Sequence, residues 1–421
     1  MSDCCAGDRL LTLADALTVA LGTIQPICGT ETVPLLQAYG RVLAADLSAQ
    51  LDVPPHDNSA MDGYALHRAD LKRDQPIRLP VIGQSLAGHP YLETVARGAA
   101  VQITTGAVLP EGPDAVVMQE DCEIAADGSW IEIELKVAAR LQAGENIRRR
   151  GEDVKRDSPL LGAGLRLRPQ DVALAAAQGF STLKVVRQLR VAVVSTGDEL
   201  YEAGVTLPPG AIYESNRYIL IGLLQHLGCK ITDLGILRDE RDMVLSVLQD
   251  AAATHDVLLT SGGVSVGAAD LVKDVIAELG KIEFWRLAIK PGKPLAFGWI
   301  KNCLVVGLPG NPVSVAVACL VFARPLMVKL MGAKPAEPLG LQAIADFEFR
   351  RKPGRREWLR ARLRFDAELK PVVSIYPTNS SGALSSLSWA DGLIELPEDS
   401  TGVHLGDKVS YLPFQGLGLV S

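Results

Sequence analysis

Four carboxylates follow apolar runs in this chain: Asp198 and Glu199 in "STGDE", Asp239 in "LRDE", and Asp270 closing "SGGVSVGAAD". Lys290 and Lys293 stand nearby in "IKPGKP", and a second proline–glycine turn, "LPGNP", carries Pro309 and Pro312. Carboxylates beside lysines and open glycine loops suit a magnesium-bridged phosphate ligand. Mg2+ takes hard oxygen donors from one or two carboxylates and from phosphates, and keeps several waters. Ser261, Gly262, Gly263, Ser265 and Gly267 form a loop whose backbone N–H groups can approach an anion, and the helix after it adds a favourable dipole. The loop fits neither the P-loop pattern nor the dinucleotide fingerprint. Each feature also has a plainer explanation. Asp270 can simply cap the helix "LVKDVIAELG", Asp198 and Glu199 can be ordinary first-turn acids, and the proline–glycine pairs can be turns.

Placement separates these readings. From 187 to 332 strand-like and helix-like segments alternate. "LRVAVVSTG", "KITDLGIL", "DVLLTSGG", "IEFWRLAIK", "PLAFGWI" and "CLVVGLPG" read as strands, with helices between them such as "SNRYILIGLLQHLG", where Ser215 is the expected N-cap. That alternation predicts a doubly wound, mostly parallel sheet covered on both faces. Ligands of such sheets bind in the crevice at the carboxyl ends of the strands. The charged and glycine-bearing segments are the ones that follow strands, so one rim gathers all of them.

The rest of the chain is organised around this unit. Residues 58–144 are β-rich and read as an insertion into a first unit made of 1–57 and 145–186, while 333–421 holds short strands that fit a small β-barrel. The fold class is therefore α/β and multidomain. With 421 residues several domains are required. A net charge of -7 argues against a general nucleic-acid binder, which needs a basic field. Seven scattered cysteines without a C-x-x-C pair disfavour a structural zinc site or a disulfide framework. The acidic N-terminus lacks signal-peptide character, and the longest apolar run, 313–323, is too short to span a bilayer. A soluble, cytoplasmic protein is the expectation.

Seven stretches in order, "PPHDNSAMDGYAL", "ITTGAVLP", "ENIRRRGEDV", "VVSTGDEL", "SGGVSVGAAD", "LAIKPGKPLAFG" and "GLPGNPVS", resemble the molybdopterin molybdenumtransferase (MoeA-type) family over nearly the whole chain. The resemblance implies a central domain of the molybdopterin-binding type, an elongated N-terminal dimerisation domain, and a homodimer with its site in a cleft between subunits. It implies insertion of molybdate into the dithiolene of adenylylated molybdopterin, with Mg2+-assisted release of AMP. Other molybdenum-cofactor synthesis proteins and recipient molybdoenzymes are the implied partners. Carried over by motif, Asp62, Glu199, Asp239 and Asp270 are the catalytic acids, with Asp239 and Asp270 the metal ligands. Thr105, Asp153, Arg286, Lys290, Lys293, Pro309, Pro312 and the 261–267 loop contact substrate. Arg286 stands where relatives often have lysine, which replaces a point donor with a planar fork. Two other activities share the central fold: adenylylation of molybdopterin itself, and a non-catalytic scaffold role.

Overall fold

The computed structural model describes residues 10–72, 75–263, 271–334 and 340–417, leaving aside the side chains of Ile282, Phe284 and Trp285. The central unit is built on six strands: β1 (Arg190–Thr196), β2 (Lys230–Leu237), β3 (Val257–Ser261), β4 (Lys281–Arg286), β5 (Pro294–Ile300) and β6 (Cys303–Leu308). Their order is β2-β1-β3-β6-β5-β4. The first four in this order run parallel, whereas β5 is antiparallel to β6 and β4 antiparallel to β5. Two reversals return β4 to the common direction. Its last residue, Arg286, and the start of β5 therefore share the edge where β1, β2, β3 and β6 end.

Strand alternation explains why helices cover both faces. Val191 and Val193 of β1, Leu259 of β3 and Val306 of β6 enter one core with Leu220 and Leu224 of helix α1 (Asn216–Leu227). Ala192, Val194, Leu258 and Val305 point into a second core. There they meet Val244 and Leu248 of α2 (Arg241–Thr254) and Val275 and Ile276 of α3 (Leu271–Leu279). Continuous apolar strands are what a sheet buried on both faces requires.

One long helical segment, Pro312–Leu330, fills the first core and passes through a short π-helical stretch at Cys319–Ala323. It corrects the sequence expectation. The apolar segment is nineteen residues with mean hydropathy 1.9, long and apolar enough to cross a membrane by length and composition. It extends past the eleven-residue run because helix geometry continues through Arg324 and Lys329. Most of it is buried inside the protein, where it packs on the sheet. A helix that is apolar all round belongs either in a core or in lipid, and here the core accounts for it.

The other units agree with the expected multidomain class. The chain leaves and returns through paired segments: Thr30–Pro34 pairs antiparallel with Thr182–Val186, Leu47–Ser48 with Pro159–Leu161, and Asn58–Ser59 with Ile147–Arg148. Between these pairs lies a separate six-stranded sheet with its own core. The helix Leu13–Thr23, by contrast, buries Leu13, Ala16 and Ala20 in the central core. At the other end, strands Leu341–Ala345, Arg356–Phe365, Pro371–Ile375, Gly392–Leu396 and Lys408–Pro413 close into a barrel, because Gly392–Leu396 pairs back to Arg356–Phe365.

An ion cluster at the start of the central unit joins its entering segment to β1 and β3. Asp256, at the start of β3, accepts from Arg187 at 2.7 and 2.8 Å and from the Arg190 backbone N–H at 2.8 Å. Burial alone would raise this carboxyl, but the hydrogen bonds from Arg187 and Arg190 outweigh it and hold it well below the usual carboxylate range. A depressed folded pKa stabilises above the unfolded value and loses that contribution as pH falls. Asp256→Asn is therefore expected to lose about 2 kcal/mol at pH 7, because Arg190 remains half in water. The gap from wild type should narrow progressively as melts are taken from pH 5 down to pH 2, without closing.

Candidate active site

The rim is assembled from strand ends. After β1 come Gly197, Asp198 and Glu199; after β2, Arg238 and Asp239. The Asp239 backbone N–H donates to Asp198 Oδ1 at 3.2 Å, and Arg238 Nη1 donates to the Asp198 carbonyl at 2.6 Å while its guanidinium lies over the Tyr201 ring. Burial, followed by the neighbouring charges of Asp198 and Glu199, pushes the Asp239 carboxyl above its ordinary value. Neighbouring carboxylates disfavour the ionised form of one another, which is the direction of the Asp239 shift. Among the described residues no three His, Cys, Asp or Glu side chains form a ready metal cage. An Mg2+ ion held by one or two carboxylates, phosphate and water would not need such a cage.

After β3 the chain turns through Gly262 and Gly263 at φ +87° and +66°. A Cβ at Gly262 would stand 2.6 Å from the Thr196 carbonyl oxygen, and one at Gly263 2.5 Å from Val272 Cγ2. Only glycine brings this backbone so close to β1. Ser265, Gly267 and Asp270 lie outside the described residues.

At the end of β6, Pro309 and Gly310 lead to Asn311, and Pro312 opens the core helix at its first turn. Asn311 Nδ2 donates to Ser381 Oγ at 3.0 Å, and the Val313 N–H donates to the Ser381 carbonyl at 3.1 Å. This loop is thereby pinned to the barrel. Ile289–Lys290 likewise joins the barrel sheet beside Arg356 and Glu357 instead of continuing β4. Here the sequence reading, which carried one strand through to Lys290, is corrected. The chain leaves β4 at Arg286 because Ala288 and Ile289 are buried between the two units. Lys293 is exposed just before β5, on the rim edge.

Lys290 Nζ is 2.8 Å from Oε1 of Glu357, a carboxylate only 1% exposed. Asn379 Nδ2 donates to the same oxygen at 2.6 Å, and the Arg351 guanidinium stands 3.2 Å from Oε2. Lys290 and Glu357 line an open cleft of 530 Å³ with Arg350, Arg351, Lys352 and Arg355. Five cations around one already neutralised carboxylate make a strongly positive concavity. Beside it Arg360, fully buried, donates to Asn379 Oδ1, Ser386 Oγ and the carbonyls of Thr378 and Ser380. It fixes the loop that carries Ser381.

The remaining predicted residues bond within their own units. Asp62 Oδ1 accepts from Thr105 N–H at 2.6 Å and from its hydroxyl at 2.9 Å, and these bonds lower the Asp62 pKa. The Asp153 N–H donates to the Val53 carbonyl, and its side chain is exposed. The adjacent arginines are partnered. Arg149 pairs with Asp57 and Arg150 with Asp52, both at 2.6 Å. Ser215 occupies the N-cap position of α1 but makes no side-chain cap. Glu214 accepts from the Arg217 N–H instead, at 2.9 Å. Sequence reasoning missed the barrel cluster of Glu357, Arg360, Asn379 and Ser381. The available signal was a glutamate and an arginine, Glu357 and Arg360, within the apolar half of the strand "REWLRARLRF", where 357–361 are all buried.

Comparison with known proteins matches three family descriptions in succession: MoeA N-terminal region (domain I and II) over residues 11–179, probable molybdopterin binding domain over 192–329, and MoeA C-terminal region (domain IV) over 342–414. A protein of Haemophilus influenzae named molybdopterin molybdenumtransferase is 39% identical over 97% of this chain and 100% of its own length. A Bacillus subtilis protein of the same name is 32% identical over 91% of this chain and 89% of its own. The crystal structure of the molybdopterin biosynthesis MoeA protein of Pyrococcus horikoshii OT3 superimposes with a TM-score of 0.82. It is 31% identical and covers 96% of this chain and 100% of that one.

Proposed function

The chain belongs to the molybdopterin molybdenumtransferase family, and from that premise we propose how its strand-end rim and barrel cleft divide the work. The protein is a transferase of molybdenum cofactor biosynthesis that inserts molybdenum into molybdopterin. Its substrates are adenylylated molybdopterin and molybdate, and its products the loaded cofactor and AMP. It works as a cytoplasmic homodimer in which Asp62, Thr105 and Asp153 contribute to a cleft between protomers.

Two separate features support this reading: an acidic group at the carboxyl ends of β1 and β2, and a basic cleft on the barrel. The acidic group is Asp198, Glu199 and Asp239; the basic cleft has Lys290 with the four barrel cations. The Gly262 N–H is spent on the Leu308 carbonyl, so phosphate contacts would come from the rest of the glycine-rich stretch, and the basic cleft suits a tetrahedral dianion. Asp239, with Asp270 by motif, would hold Mg2+, which supplies charge neutralisation on the pyrophosphate when bound. Arg286 and Lys293 add positive charge on the same edge.

Purified protein given adenylylated molybdopterin, Mg2+ and molybdate is expected to release AMP faster as molybdate is added. Absence of that stimulation, or consumption of ATP with molybdopterin, would overturn the proposal, the latter in favour of an adenylyltransferase. The cleft is tested separately. Replacing both Lys352 and Arg355 by alanine should raise the KM for molybdate roughly tenfold with little change in kcat, the signature of lost ground-state binding.

A further inference from the structure

Asn216, the first residue of α1, bridges two strand-end loops. Its Nδ2 donates to Ser261 Oγ at 2.8 Å and to the Gly310 carbonyl at 2.7 Å. A carbonyl can only accept, so the amide orientation is fixed: the NH2 group faces both loops, and Oδ1 faces away. Asn216 is 8% exposed, and its Oδ1 is buried without a partner. The hydroxyl of Thr196, at the end of β1, is buried and unpartnered as well. Unmet polar atoms are rare in a folded interior and mark positions kept for something other than stability.

The consequence falls on Ser261. An amide N–H entering its oxygen occupies a lone pair and leaves the hydroxyl hydrogen to be donated elsewhere. Ser261 is 1% exposed, so bulk water does not take that hydrogen, and among the described residues no acceptor does. We propose that Asn216 is a positioning residue that acts through Ser261: its amide holds the serine hydroxyl as a donor toward an anionic oxygen of the molybdopterin substrate. The inference rests on the functional reading above. Asparagine serves where aspartate would not. A carboxylate there would accept the serine hydrogen and turn the hydroxyl around, and it would repel the Gly310 carbonyl.

The test is a double-mutant cycle on the full-length protein, with adenylylated molybdopterin as the probe. Asn216→Asp and Ser261→Ala are each expected to raise the KM about tenfold, the scale of one hydrogen bond to a charged group. Combined, they should raise it no further, because the first acts only through the second. Asn216→Ala, which leaves the serine free to rotate, should fall between wild type and Asn216→Asp. Melting temperatures measured alongside separate this from collapse of the loops, which would lower kcat and stability together. If the single effects multiply in the double variant, or if Asn216→Asp binds as wild type does, the relay is wrong. Failure of the wild type itself to bind the probe would instead remove the functional reading and this inference with it.

Discussion

Asparagine at Asp239 is expected to slow AMP release by about a hundredfold or more while the protein still folds. The substitution keeps the shape of the side chain and removes one charge from a group of three. Asp239 is the member whose carboxyl is pushed upward, by burial and then by Asp198 and Glu199. A raised folded pKa means that the fold disfavours the ionised form, so its contribution to stability is lost as pH rises through that value. Asp239→Asn should therefore melt at or slightly above the wild-type temperature at pH 7. Reduced activity with undiminished stability is the pattern of a group held ionised for function. The Mg2+ concentration giving half-maximal rate should also rise, because one of its carboxylates is gone. A variant with wild-type turnover and wild-type Mg2+ dependence would sink the assignment. Asp270→Asn, chosen from the motif alone, should give a similar loss. Similar losses with different Mg2+ dependences would separate ligation from orientation.

What the sequence made legible was whatever local pattern and strand order determine. Apolar runs such as "LRVAVVSTG" announce a two-face-buried sheet, and the rule that ligands sit at strand ends then picked out Asp198, Asp239, Gly262 and Pro309 without reference to side-chain geometry. What it could not supply was contact between segments distant in the chain. Lys290 reads as the tail of a strand, yet it pairs with Arg356–Phe365 and binds Glu357, sixty-seven positions further on. Nothing in "IKPGKP" encodes that partner. Asn216 reads as part of a helix start, and its value lies in reaching Ser261 and Gly310 at once. Pattern reveals which face is buried; only tertiary packing reveals what meets it.

Gly262→Ala carries the second large expectation, and its size can be divided into parts. Gly262 sits at φ +87°, where any side chain is strained, and its added Cβ would lie 2.6 Å from the backbone oxygen of Thr196. Gly210 provides the control. It has φ +83° and open space where a Cβ would stand, so Gly210→Ala reports the backbone strain alone. That strain is worth about 1 kcal/mol. Gly262→Ala should exceed it by a further ~1–3 kcal/mol, because the obstacle is main chain of β1 and cannot swing aside. The structure can respond in only two ways. Either β1 and β3 stay in register and stability falls by the full amount, or the loop moves off Thr196 and stability recovers in part. The second response breaks the Gly262 N–H bond to the Leu308 carbonyl and loosens the Ser261–Asn216 contact. Denaturant melts and the KM for adenylylated molybdopterin therefore discriminate between them: a large stability loss with near-normal KM means the loop held, and a modest loss with a KM raised tenfold or more means it shifted. Equal behaviour of the two alanine variants in both measurements would show that the close approach of Gly262 to β1 has no part in shaping the site.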